Sequence, residues 1–95
     1  MNISSTLLWS GTCTSKGKLY YSRNASNFSF LVITTEFADN HFQTDLIVNN
    51  SSFVRQNIHN YTGDIYFHVC PYPTYLDVVY IERIGSGIKR IWGIL

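Results

Sequence analysis

The chain has 95 residues and a formal net charge of +1, with 45% hydrophobic and 14% charged residues. That length holds one domain with one core, and that composition excludes a disordered chain. Near-neutral charge excludes the basic stripe that nucleic acid needs, and no apolar run approaches the roughly 20 residues that cross a bilayer. Strand-formers set the class: Ile, Val, Thr, Tyr, Phe and Trp supply 39 residues, whereas alanine stands only at Ala25 and Ala38 and glutamate only at Glu36 and Glu82. The expectation is an all-β fold.

Residues 1–13, MNISSTLLWSGTC, do not form a secretory signal, because no basic start precedes the short apolar group Leu7, Leu8 and Trp9. Residues 7–13 read as a first strand, with Leu7, Trp9 and Cys13 on one face and Ser10 and Thr12 on the other. Ser15, Lys16 and Gly17 turn the chain into a short second strand over residues 18–23, with Tyr20 opposite Leu19 and Tyr21. Residues 24–27 form a polar loop. Residues 28–37, FSFLVITTEF, make the longest run and suit a central strand. Asp39 and Asn40 turn the chain. Residues 44–48 and 53–58 alternate more weakly.

Residues 63–84, GDIYFHVCPYPTYLDVVYIERI, read as a hairpin. Ile65, Phe67 and Val69 share one face; Tyr66, His68 and Cys70 share the other. Pro71 has no N–H to give and should end the pairing. In the returning strand, Leu76, Val78 and Tyr80 fall on one face, with Val79 and Ile81 on the other. Gly85 and Gly87 close it. The tail, residues 88–95, fits two periods. Ile88, Ile91, Trp92 and Leu95 have helical spacing, and Ile88, Arg90, Trp92 and Ile94 have strand spacing. About seven short strands joined by polar turns, in a single domain over residues 1–95, predict a two-sheet antiparallel sandwich.

Six of eight asparagines open an Asn-x-Ser/Thr acceptor: Asn2, Asn24, Asn27, Asn49, Asn50 and Asn60. Chance would give about one or two, so the excess points to a glycosylating lumen and to N-glycans. The expected location is secreted, or the ectodomain of a longer anchored protein. The plain alternative is an Asn- and Ser-rich intracellular protein. In a secreted domain the even pair Cys13 and Cys70 reads as a disulfide, worth roughly 4 kcal/mol in the chain-entropy account. Two unrelated buried thiols are the other reading.

The layout resembles the immunoglobulin superfamily on three points: the separation of Cys13 and Cys70, Asp64 six positions before Cys70, and the strand count. The resemblance implies an inter-sheet disulfide and a loop over residues 71–75 that joins the last two strands. Three departures accompany it. His68 stands where the family's corner tyrosine belongs, Tyr66 replaces a small residue, and Trp9 and Trp92 both lie outside the cysteine pair. A divergent member, such as a viral one, or another β-sandwich fits equally.

No reaction is legible. His41, His59 and His68 lack ligand spacing, and no nucleophile elbow, phosphate loop or dinucleotide fingerprint occurs. The expectation is a protein that is not an enzyme and uses no metal and no cofactor. What remains is surface. No acceptor asparagine follows Asn60, so the hairpin is the glycan-free part of the chain. Ile65, Phe67, Val69, Tyr72, Tyr75 and Tyr80 are of the types that carry interface energy, unless the Ile65 row packs as core instead. The expected role is binding a partner protein, a cell-surface receptor or another ectodomain, as a viral protein binds its host receptor. The rival role is a carbohydrate-binding sandwich that stacks sugars on Trp9, Tyr20, Tyr72 or Tyr75, with Asp77 and Asn60 as hydrogen-bonders.

Overall fold

The computed structural model describes residues 5–49 and 54–95. The described residues form eight strands and no helix: β1 (Ser5–Cys13), β2 (Gly17–Tyr20), β3 (Phe30–Ala38), β4 (His41–Val48), β5 (Gln56–His59), β6 (Ile65–Pro71), β7 (Tyr75–Ile84) and β8 (Gly87–Ile94). They make two antiparallel four-stranded sheets, the first in the order β1-β8-β3-β4 and the second in the order β2-β7-β6-β5. The all-β, two-layer body is as composition predicts. The eighth strand is the tail, which sits as β8 between β1 and β3.

The ambiguity of that tail has a local cause. Arg90 pairs with Thr34, but the next pair is Ile88 with Thr35, so Lys89 is an extra residue. Such a bulge puts two strand residues three apart on one face. Ile88 and Ile91 both point into the core, each 0% exposed, and so counterfeit a helical spacing.

The core lies between the sheets. The first contributes Leu8, Leu31, Ile33, Ile47, Ile88 and Ile91; the second contributes Ile58, Ile65, Phe67, Val69, Leu76 and Val78. Ala25 and Phe28, from the loop between β2 and β3, plug one end. Gly93 makes room for that plug, since a Cβ there would come within 2.6 Å of the Phe28 ring. Thr35 is buried among these side chains with its hydroxyl unpaired.

Side chains close the seam where the edges of the two sheets meet. The Val48 N–H donates to Gln56 Oε1 at 2.9 Å, and Gln56 Nε2 donates to the Val48 carbonyl at 2.7 Å. Gln43 Nε2 donates to the His59 carbonyl at 3.1 Å and to Asp45 Oδ2 at 3.0 Å. Burial pushes the Asp45 carboxyl above its ordinary value, against the opposing pull of Gln43 and His59. On the opposite seam, the Ser22 N–H donates to the Leu8 carbonyl at 2.8 Å.

The expected disulfide is not there: Cys13 and Cys70 are not bonded to each other. The reason is the side each sulfur faces. Cys13 ends β1 inside the core, where its thiol donates to the Ser15 carbonyl at 3.2 Å and burial pushes its pKa up. Cys70 stands between the core residues Val69 and Pro71, so alternation turns it outward, where it hydrogen-bonds with Tyr72. A bridge across the interior needs both sulfurs to point inward. β1 lies at the edge of its sheet, beside β8.

Candidate functional site

β6 is apolar on one face and aromatic on the other, and its inward row is the one first nominated for binding. Ile65, Phe67 and Val69 are each 0% exposed and pack between the sheets. They cannot meet a partner while the domain is folded, so their nomination is corrected: that row is core.

The outward row builds the site instead. Tyr66, His68 and Cys70 pair across the ladder with Arg83, Tyr80 and Asp77 of β7. Two bulges in β7 make these pairs. The register passes from Val69–Val78 to His68–Tyr80, leaving Val79 extra, and from Phe67–Ile81 to Tyr66–Arg83, leaving Glu82 extra. Without the first bulge Tyr80 would share the inward face with Leu76 and Val78, as the sequence pattern implied. The bulge turns its ring outward, where it is 41% exposed. β5 adds Asn57 opposite His68 and His59 opposite Tyr66. β2 adds Lys18 opposite Asp77 and Tyr20 opposite Tyr75.

Two ring clusters result. In the first, His68 lies between Tyr66 and Tyr80, with centroids at 5.2 and 4.8 Å, and His59 packs edge-on against Tyr66 at 6.4 Å. Both ring nitrogens of His68 are buried and find no hydrogen-bond partner. An unsatisfied buried polar group costs about 1–3 kcal/mol, so this arrangement is unfavourable for the isolated domain. In the second cluster Tyr72 stacks on Tyr75 at 4.7 Å, Tyr20 tilts against Tyr75 at 5.4 Å, and the Lys18 ammonium sits 5.0 Å from the Tyr75 centroid. The hydrogen bond with Cys70 raises the Tyr72 phenol, and charge on Cys70 adds to it. Tyr20 is 62% exposed.

Of the residues nominated for sugar stacking, Tyr20, Tyr72 and Tyr75 come together beside Asp77. Trp9 does not join them. It lies on β1 of the other sheet and packs against the core. Asn60 lies in the turn before β6, at the far end of the hairpin, where its Oδ1 accepts from the Asp64 and Ile65 N–H groups. The histidines do not assemble a metal centre; among the described residues no three His, Cys, Asp or Glu side chains converge.

The acceptor asparagines divide. Asn2 and Asn50 lie outside the described residues. Asn24 and Asn27 occupy an exposed loop. The Asn49 amide nitrogen donates to the carbonyls of Ala25 and Phe28, both at 2.9 Å. A glycan replaces one of the two hydrogens on that nitrogen, so glycosylation at Asn49 would leave a single N–H for the two carbonyls and cost at least one of these contacts. Asn24, Asn27 and Asn60 all stand in loops or turns, and no described strand carries an acceptor. Neither outer sheet surface therefore bears a glycan stem on its own strands.

The sequence signal for this face was present but misassigned. Tyr66 and His68 alternate plainly with Ile65 and Phe67, and only the burial of one row identifies the other as surface. Comparison with family models, with curated proteins and with solved structures gives no match for this chain.

Proposed function

We propose that the chain is an extracellular glycoprotein domain that recognises a partner protein through the outer face of the β6–β7 hairpin. His68 carries the reading: a partnerless imidazole enclosed by Tyr66 and Tyr80 on an outward face. A protein that shifts either ring and offers a donor and an acceptor satisfies those nitrogens, converting a cost of the isolated domain into binding energy. Tyr72, Tyr75 and Tyr80 keep their nominated role, and Tyr66 and His68 replace Ile65, Phe67 and Val69. The excess of acceptor asparagines supports the extracellular setting, and their placement in loops supports an open face. A viral chain that engages a host receptor is one member of this class. Kinship with the immunoglobulin superfamily rests on Asp64 and the cysteine spacing, and the proposal takes the two-layer body, not that ancestry, as its frame.

The clustering of Tyr20, Tyr72 and Tyr75 beside Asp77 favours a second reading, a sugar platform. Two rings stacked on each other hide part of the π-surface that a sugar would use, which sets it second. Probing a cell-surface protein array and a glycan array with the glycosylated chain separates the two. The first reading expects a protein ligand whose binding falls at least tenfold with Tyr80→Asp and with His68→Ala. Glycan binding lost with Tyr20→Ala and kept with Tyr80→Asp would replace it.

A further inference from the structure

The outer face of the first sheet is apolar as well. Ile94 pairs with Ser5 on one side and Phe30 on the other, and Phe30 pairs with Val48. One row along, Trp92 pairs with Leu7 and Val32, and Val32 pairs with Leu46. Seven of the eight residues in these two rows are apolar, and none is charged. They are not core: the inward residues of the same strands are Leu8, Leu31, Ile33, Ile47 and Ile91. Leu46 is 63% exposed, with Leu7, Phe30 and Val48 exposed beside it. An antiparallel sheet with one solvated face should alternate apolar with polar, and here it does not. The next row is polar: Ser10, Arg90, Thr34 and Thr44.

We infer that this face is the contact between two copies of the chain, related by a two-fold axis along the seam between β8 and β3. Such an axis sets β8 of one copy over β3 of the other. Trp92 then faces Val32, Ile94 faces Phe30, and Leu7 faces Leu46, each contact occurring twice as an isologous interface requires. The large indole meets a small side chain. Arg90 faces Thr34 of the other copy, while the Glu36 carboxylate two residues further along is already held by Lys89 at 3.5 Å and by the Asn40 N–H at 3.0 Å within its own chain. Facing sheets cross at about −30°, which keeps the central pairs together while the edge strands diverge.

The whole outward face of the sheet, four strands about 4.8 Å apart and four outward rows about 6.8 Å apart, projects roughly 500 Å², and the two apolar rows make up about half of it. A standard interface buries roughly 800 Å² of accessible surface per partner, so the pairing engages the polar rows as a rim around the apolar ones. Chains paired in this way carry their aromatic faces outward on opposite sides.

Sedimentation of the glycosylated chain over a micromolar concentration series tests the pairing. The expected result is a concentration-dependent dimer, weakened at least tenfold by Leu46→Lys and by Leu7→Lys with the circular dichroism unchanged. Because Leu7 of one copy faces Leu46 of the other, mixing the Leu7→Lys chain with a Leu46→Glu chain should restore dimers that neither forms alone. A wild-type chain that stays monomeric overturns the inference, as does a dimer that survives both substitutions or a mixture without rescue. Monomers whose apolar face instead binds an unrelated protein overturn it too.

Discussion

The two outer faces of this sandwich break the same rule in different ways. On the first sheet, Leu7, Trp92, Val32 and Leu46 make an aliphatic row in which the indole N–H is the one polar side-chain group. On the second, Tyr66, His68, Tyr80, Tyr75 and Tyr72 put hydroxyls and an imidazole around ring faces. A surface with a single polar side-chain group gains mainly from losing water, and an apolar counterpart of matching shape serves most of it. A surface of rings with polar tips also demands that hydrogen bonds be met, and so discriminates among partners. Self-association suits the first face and selective recognition suits the second. Pairing through one face doubles the copies of the other, so a weak single contact gains avidity wherever the target is itself multivalent.

The sharpest way to break this comparison lies within β6. Phe67→Asp should unfold the domain, costing more than about 4 kcal/mol in urea denaturation, because a carboxylate would enter the core without a partner. Tyr80→Asp, on the opposite face of the same hairpin, should change stability by less than about 1 kcal/mol. Equal losses would show that the aromatic face is held by packing alone. Next in size is His68→Phe. Removing two unsatisfied nitrogens while keeping a flat ring should leave stability unchanged or raise it by up to about 1 kcal/mol, measured by thermal melting. The same change should weaken partner binding.

A smaller effect belongs to the seam that joins the sheets. Burial raises the Asp45 carboxyl above its reference of 3.8, so the folded protein favours its neutral form. The stability Asp45 contributes is fully present below that reference and is lost as pH rises through the raised folded value. Asp45→Asn should therefore gain on wild type as pH climbs from acid to neutral in parallel melts, and a constant difference would contradict it. The smallest effect expected is zero. Cys13 points into the core and Cys70 away from it, so reductant should leave the melting temperature unchanged, and intact-mass analysis after denaturing alkylation should find both thiols modified.

Fold class was legible because it depends on residue type summed over the whole chain. Pro71 does not end the ladder as expected, since it pairs with Leu76 and the Tyr72 N–H beyond it donates to the Tyr75 carbonyl at 2.9 Å; the partition of Ile65, Phe67 and Val69 from Tyr66 and His68 was legible from period two. Which row would be buried was not, since both are rich in large side chains and only the opposing sheet decides. The face of Tyr80 and the strand identity of the tail were lost for a shared reason: extra residues at Val79 and Lys89 shift the phase of alternation, and nothing at those positions announces a bulge. The cysteine pair misled in another way. Spacing along a chain says how large a loop would be closed, but not which side of its sheet each sulfur occupies.

One consequence follows from the clasp between Gln56 and Val48. The last residue of an edge strand ordinarily presents its peptide group to solvent, where a foreign strand can add itself rung by rung. Here an amide side chain already fills both positions, imitating the neighbour that β4 lacks. The margin of the sheet is thereby capped against fibril growth at that end, and Gln56→Ala, harmless to the core, should show itself first as a shorter lag before aggregation.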